Sequence, residues 1–164
     1  MLTKTQNKSV KAGKRVNSKH VDTLIKNYKK ERWVHNSKKL GKADSLSVWY
    51  SLDELIEFME TAKSHGGDGV RLYFGVYDKE SAKEPLYEGR QTVVFVATKE
   101  KEIENGKANK EVYINTEDGN TILAYNAGKI CPPICVEIGD EGFGMGMEMG
   151  MTILDKGEDG MCVA

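Results

Sequence analysis

Leu46-Ser47-Val48-Trp49-Tyr50, Ser51-Leu52-Asp53-Glu54-Leu55-Ile56-Glu57-Phe58-Met59-Glu60-Thr61-Ala62-Lys63, Ser64-His65-Gly66-Gly67-Asp68 and Gly69-Val70-Arg71-Leu72-Tyr73-Phe74-Gly75-Val76-Tyr77 follow one another without interruption. They read as a short strand, a capped helix, a glycine stop and a longer strand. Ser51 followed three residues later by Glu54 is a capping box, in which each side chain satisfies a backbone amide left open at the helix start. Leu52, Leu55, Ile56, Met59, Ala62 and Lys63 recur at three- and four-residue spacing, which predicts the face that packs. Gly66 suits the left-handed conformation that ends a helix, and Gly67-Asp68 turns the chain into the next strand. In that strand Val70, Leu72, Phe74 and Val76 should point toward the helix, and Arg71, Tyr73, Gly75 and Tyr77 toward the far face.

Working outward, 164 residues are most simply one domain, long enough to bury roughly 70% of the surface of the unfolded chain. With 39% hydrophobic and 30% charged residues the composition is that of an ordinary globular chain, and no apolar run approaches the ~20 residues that span a bilayer. The first twenty residues have no apolar core of the kind a secretory signal needs. Three cysteines, an odd count, do not make a disulfide framework, so a reducing, cytoplasmic location is expected. The charge is divided along the chain. Residues 1 to 42 carry thirteen Lys or Arg against two acids, and residues 43 to 164 carry eleven against twenty-three.

Residues 1 to 17 read as a flexible basic arm, 18 to 138 as a single α+β domain and 139 to 164 as a Gly/Met-rich C-terminal tail. Ser18 is the expected cap of a basic amphipathic helix carrying Val21, Leu24, Ile25 and Tyr28, which ends near Trp33 to Asn36. A linker covers 36 to 45. The unbroken run Arg90-Gln91-Thr92-Val93-Val94-Phe95-Val96-Ala97-Thr98 predicts a central strand covered on both faces, antiparallel to residues 69 to 77. Glu111-Val112-Tyr113-Ile114 and Thr121-Ile122-Leu123-Ala124-Tyr125 read as two further strands around Asp118-Gly119. The fold class is therefore α+β: a mixed, mostly antiparallel sheet of about five strands, one capped amphipathic helix on one face, and a basic N-terminal helix.

The order of Ser47-Val48-Trp49-Tyr50, Gly66 to Gly75, Arg90-Gln91-Thr92-Val93-Val94-Phe95-Val96 and Cys131-Pro132-Pro133 resembles small uncharacterised bacterial proteins with the same succession of blocks. The resemblance covers roughly residues 46 to 135. It implies no activity, cofactor or site.

Three constellations carry the functional expectations. The first is the far face of the sheet, where Arg71, Tyr73 and Tyr77 project together with Asp68, Arg90 and Gln91 at strand entrances. Planar bidentate donors beside aromatic walls suit a small anionic or aromatic ligand. Against this stands coverage of that face by the N-terminal helix or the tail. The second is Cys131 and Cys135, weak candidates for a metal pair, since zinc signatures show two such sets; the plainer reading makes them small buried hydrophobes in a proline turn. The third is the basic front, where Lys26, Lys29, Lys30 and Arg32 would neutralise phosphates and Trp33 would stack on bases. The plainer reading there is a solvated tail, or one that binds acidic surface.

No nucleophile–base pair and no nucleotide-binding loop can be assembled from these residues, and Gly142-x-Gly144 lacks the flanking strand and helix that such a loop requires. The expectation is a non-enzymatic binding or protein-interaction module, with no cofactor, no membrane segment, and a protein partner or self-association. A protein binding a small anionic or aromatic ligand, or a small enzyme, using the Arg/Tyr face, and nucleic-acid binding through the basic N-terminal segment, are the alternatives.

Overall fold

The structure is a computed structural model that describes residues 11–135 and the backbone of two short strands near the C-terminus. The first ten residues of the expected arm, and the tail expected over 139–164 apart from those two strands, lie outside the described residues. The fold is α+β with antiparallel sheets. Its contacts group into two compact units, each assembled from separate stretches of chain.

Among the described residues the first unit takes in 11–14, 50–74 and 93–126. Helix α3 (Leu52–Ser64) begins at the Ser51–Glu54 capping box: the Ser51 hydroxyl accepts from the Glu54 amide at 3.2 Å, and the Glu54 carboxylate accepts from the Ser51 amide at 2.8 Å. Gly66, at φ 80°, closes the helix end and admits the turn to β2 (Gly69–Val76). The central strand, β3 (Gln91–Ile103), lies between β2 on one side and both β4 (Gly106–Glu111) and the short β7 (Ala124–Tyr125) on the other. Between β4 and β7 the chain makes a hairpin of β5 (Tyr113–Thr116) and β6 (Gly119–Ile122), turning at Glu117-Asp118, one residue before the expected Asp118-Gly119, with Gly119 opening β6. Where one sheet of about five strands is expected, ten strands are present among the described residues, in a four-stranded sheet and three two-stranded ladders.

Partner exchange on β3 happens at Ala97. Thr98 pairs with Glu111 of β4, while Phe95 and Val96 pair with Tyr125 and Ala124 of β7. At the junction three backbones close a ring of hydrogen bonds: the Ala97 amide donates to Leu123 O at 3.0 Å, Leu123 to Val112 O at 2.9 Å, and Val112 to Ala97 O at 2.9 Å. All three residues are buried, and with Phe58 and Ala62 of α3 they form the core of the unit. Ala97 is fully buried, so a larger side chain has nowhere to go. Phe58 stacks on Tyr125 at 5.6 Å, and Tyr50 meets Phe95 edge-on at 5.1 Å. The Tyr125 hydroxyl donates to Glu54 at 3.1 Å, so the carboxylate that caps α3 also holds this ring.

Two expected faces are corrected here. On α3 the buried positions are Phe58 and Ala62, with Leu55 half-buried; Leu52, Ile56 and Met59 are exposed. The helix carries two overlapping apolar stripes, and the one bearing the aromatic ring packs against Phe95 and Tyr125. On β2 only Val70 packs into the core, while Leu72, Phe74 and Val76 are exposed.

Among the described residues the second unit takes in 15–49, 75–92, 127–135 and the two short strands near the C-terminus. The N-terminal helix is capped by Asn17, not Ser18, through a 2.9 Å bond from the His20 amide. It runs as α1 (Ser18–Tyr28), a π-helical turn over Lys29–Trp33, and α2 (Val34–Leu40), several residues beyond the expected end. Gly41, at φ 74°, is the first residue suited to stop it, and its amide donates to Ser37 O. Strand β1 (Ser47–Trp49) pairs with β8 (Lys129–Cys131), and backbone strands β9 (Ile153–Asp155) and β10 (Met161–Val163) pair with each other. The core of this unit is Tyr77, Tyr87 and the fully buried Ile130, with Val48 and Ala82 against them. A 3-10 turn at Pro85–Tyr87 brings the Tyr87 ring onto Tyr77 at 5.9 Å. Gly89 is favoured by its φ of 78°; a Cβ there would meet the end of the Leu40 side chain at 2.5 Å, which could yield by shifting.

Two substitutions test these cores. Ala97→Leu should destabilise the protein by about 1–3 kcal/mol through overpacking, and Ile130→Ala by about 2–5 kcal/mol through the cavity it leaves. Denaturant unfolding measures both, and a loss below about 0.5 kcal/mol, the range of ordinary surface changes, would contradict the packing described.

Candidate functional site

Of the six far-face residues, the structure brings Arg71 and Tyr73 together. Both lie on β2, two residues apart and on one face, across from Glu111 of β4. Arg71 Nη1 donates to the Tyr73 hydroxyl at 3.1 Å and approaches Glu111 Oε1 at 3.4 Å, while Nη2 donates to Asn109 O at 3.0 Å. The Tyr73 hydroxyl passes a hydrogen bond on to Glu111 at 3.2 Å. The guanidinium therefore already faces a carboxylate of its own chain, and an incoming anion would have to displace it. Glu111 is held below the usual carboxylate range, first by its own backbone amide, next by the Tyr73 hydroxyl, and then by the Arg71 charge. Asp68, at the entrance of β2, receives the Glu100 amide on both carboxylate oxygens, at 3.0 and 3.2 Å.

Tyr77, Arg90 and Gln91 belong to the second unit, where they are fastened into its framework. Tyr77 is a core ring whose hydroxyl accepts from Thr92 Oγ1 at 3.1 Å. Arg90 is 6% exposed; its Nε donates to Leu86 O at 2.8 Å and its Nη1 to Ala43 O. The Gln91 amide donates to Asp44 Oδ1 at 2.7 Å, its side-chain oxygen accepts from the Tyr28 hydroxyl at 2.6 Å, and its carbonyl accepts from Ser45 Oγ. Burial and the Asp44 charge together push the Tyr28 phenol above its usual value. These groups tie α1 and the Asp44-Ser45 turn to the start of β3. In chemical terms they are a satisfied buried network rather than an open receptor.

The basic set is distributed along the helical segment with local partners. Lys26 pairs with Asp22 at 2.9 Å, Lys30 with Glu31 at 3.7 Å, and Arg32 donates to Glu31 O. Lys29 sits 5.6 Å over the Trp33 ring, whose indole nitrogen donates to Asp44 O at 2.7 Å. Trp33 is thereby held half-buried at its polar edge. An aromatic that sequence reasoning missed is Trp49, 58% exposed on β1, with Lys129 of β8 directly opposite and 5.3 Å from the ring.

The cysteines differ from expectation. Cys131 and Cys135 are joined by a disulfide, with Cα atoms 4.8 Å apart, and Cys135 is exposed. The apolar weight of the turn rests instead on Ile130 and Pro132, both buried. A bonded pair offers no thiolate to a metal, and among the described residues no group of three or more His, Cys, Asp or Glu is placed to hold one. No helix among them is long and apolar enough to cross a membrane.

The other feature missed from sequence is the outer part of β2. Leu72 is 53% exposed and Phe74 82%, and they alternate with Arg71 and Tyr73 on the face that also carries α3. Strand alternation assigned them to the core, and no feature of their own sequence distinguishes them from Val70. The signal that separates them is tertiary: α3 covers Val70 and leaves the rest of the row open.

No protein-family model matches the chain, and no curated protein or solved structure matches it either. The functional reading rests on the geometry.

Glu111 gives that geometry a titration. Its depressed folded-state value means that the stability it contributes is present above the ordinary carboxylate pKa and is lost as pH falls through the folded value. In Tyr73→Phe, which removes a donor to the carboxylate, the Glu111 side-chain NMR titration should move up toward the ordinary range. A titration identical to that of the parent would show that Tyr73 does not hold Glu111.

Proposed function

We propose that the protein is a non-enzymatic interaction module and that the outer row of β2 in the first unit is its contact surface. The observation that carries this reading is Phe74, 82% exposed beside the 53% exposed Leu72 on a strand that ends its sheet among the described residues. Burying a Phe or Leu side chain is worth about 1.5–3 kcal/mol. A chain that leaves two of them adjacent and uncovered gains that stabilisation only when something else covers them. The exposed stripe Leu52, Ile56 and Met59 on α3 of the same unit adds to the apolar surface available. Arg71 and Tyr73 supply polar groups on the opposite face of the strand, already ordered by Glu111. Contact surfaces combine apolar anchors with polar groups of this kind.

Native mass spectrometry of the full chain released gently from cells that express it tests the reading. The wild type should carry mass beyond that of a single chain, and Phe74→Asp should lose it while the circular dichroism of the fold is unchanged. A wild type found only at the mass of one chain, or an assembly indifferent to Phe74→Asp, would overturn it.

A further inference from the structure

We propose that the partner of β2 is β2 of a second copy of this chain, paired antiparallel about Tyr73; the proposal rests on the interaction reading above. β2 is eight residues long and stands at the end of the order β2-β3-β4 among the described residues. Exposed strand edges are ordinarily blunted by lysine, proline, a bulge or brevity. β2 has no lysine and no proline, and its one charged residue, Arg71, is turned across its own sheet to Glu111.

The backbone parity of the strand limits how it can be met. Tyr77, just past β2, donates its amide to Arg90 O and accepts from Gly89. In an antiparallel strand the amides alternate between the two sides, so those of Tyr73 and Arg71 also face β3. Leu72, Phe74 and Val76 therefore present their amides and carbonyls at the open edge. A two-fold pairing must match these even-numbered residues with one another. Centring it on Tyr73 sets Leu72 opposite Phe74 of the copy and Val70 opposite Val76, whereas centring it on Leu72 overlaps the strand equally but leaves Val76 without a counterpart in β2.

The side chains agree with this register. Leu72 against Phe74 is an aliphatic–aromatic cross-strand pair, made twice across the axis, and both pairs lie on the apolar face. Arg71 falls opposite Gly75, which has no side chain to crowd the guanidinium and no charge to repel it. Tyr73 meets its own counterpart at a position without inter-strand hydrogen bonds, where side chains come closest. The segment Val70-Arg71-Leu72-Tyr73-Phe74-Gly75-Val76 is thus complementary to its own reverse, as an isologous interface demands. A foreign strand would have no reason to meet that condition.

Sedimentation equilibrium on the purified full chain, combined with oxidative cross-linking, tests the proposal. The wild type should sediment as a reversible dimer and Phe74→Asp as a monomer. Tyr73→Cys, placed in a Cys162→Ser background, should form a disulfide-linked dimer, and Arg71→Cys in the same background should not. A dimer that Tyr73→Cys fails to link would overturn the register and with it the proposal. A monomeric purified chain that still acquires Phe74-dependent mass from cells would overturn the second copy as partner and leave the interaction reading standing. A chain that is monomeric in both settings would overturn both.

Discussion

The ring of hydrogen bonds joining Ala97, Val112 and Leu123 is the constraint on which the first unit depends. It lets two short strands share one side of β3, β4 taking the stretch beyond Ala97 and β7 the stretch before it. That side of the central strand is thereby filled, and β2 on its other side stands at the end of the order among the described residues. Ala97 can occupy the junction because its side chain is small, and Phe58 and Ala62 of α3 close over it. The position of α3 follows from this closure. Its aromatic stripe turns down onto Phe95 and Tyr125, its aliphatic stripe turns out, and the outer half of β2 is left uncovered.

Local signals in the sequence suffice where one residue or one pair decides the outcome. The Ser51–Glu54 box, the left-handed Gly66 and the tight turn at Glu117-Asp118 each act through their own backbone and need no distant partner. Expectation and structure part where two local solutions are equivalent. On α3, Leu52, Ile56 and Met59 compete with Leu55, Phe58 and Ala62 for the core, and the aromatic partners that choose between them lie some forty to seventy residues along the chain. On β2, alternation marks Val70, Leu72, Phe74 and Val76 as equals. How far one helix of thirteen residues reaches along the strand cannot be read from that pattern.

The candidate ligand face divides along the same line. Arg71 and Tyr73 share a strand face by simple alternation, and that part was legible. Arg90 and Gln91 drew attention as polar residues opening an apolar strand, but those properties serve equally well to anchor a helix. The guanidinium of Arg90 goes to the carbonyls of Leu86 and Ala43, and Gln91 is bonded on three of its groups by Asp44, Ser45 and Tyr28. Partners at such separations leave no trace in residue spacing. Cys131 and Cys135 show the opposite difficulty, since a separation of four is readable but the bond between them depends on how the Pro132-Pro133 turn folds back.

An edge strand without lysine or proline, its one arginine turned to Glu111, with an open apolar row and a self-complementary order of residues, links the arrangement of the core to association. Amide hydrogen exchange along β2 addresses that link most directly, because it reads the edge residue by residue. The amides of Leu72 and Phe74 face away from β3 and have no partner strand within the described part of one chain. If copies pair through this edge, both amides exchange slowly in concentrated protein and lose that protection on dilution, while the amide of Tyr73 stays protected throughout. Leu72 and Phe74 amides that exchange at the rate of an open strand at every concentration would contradict the account.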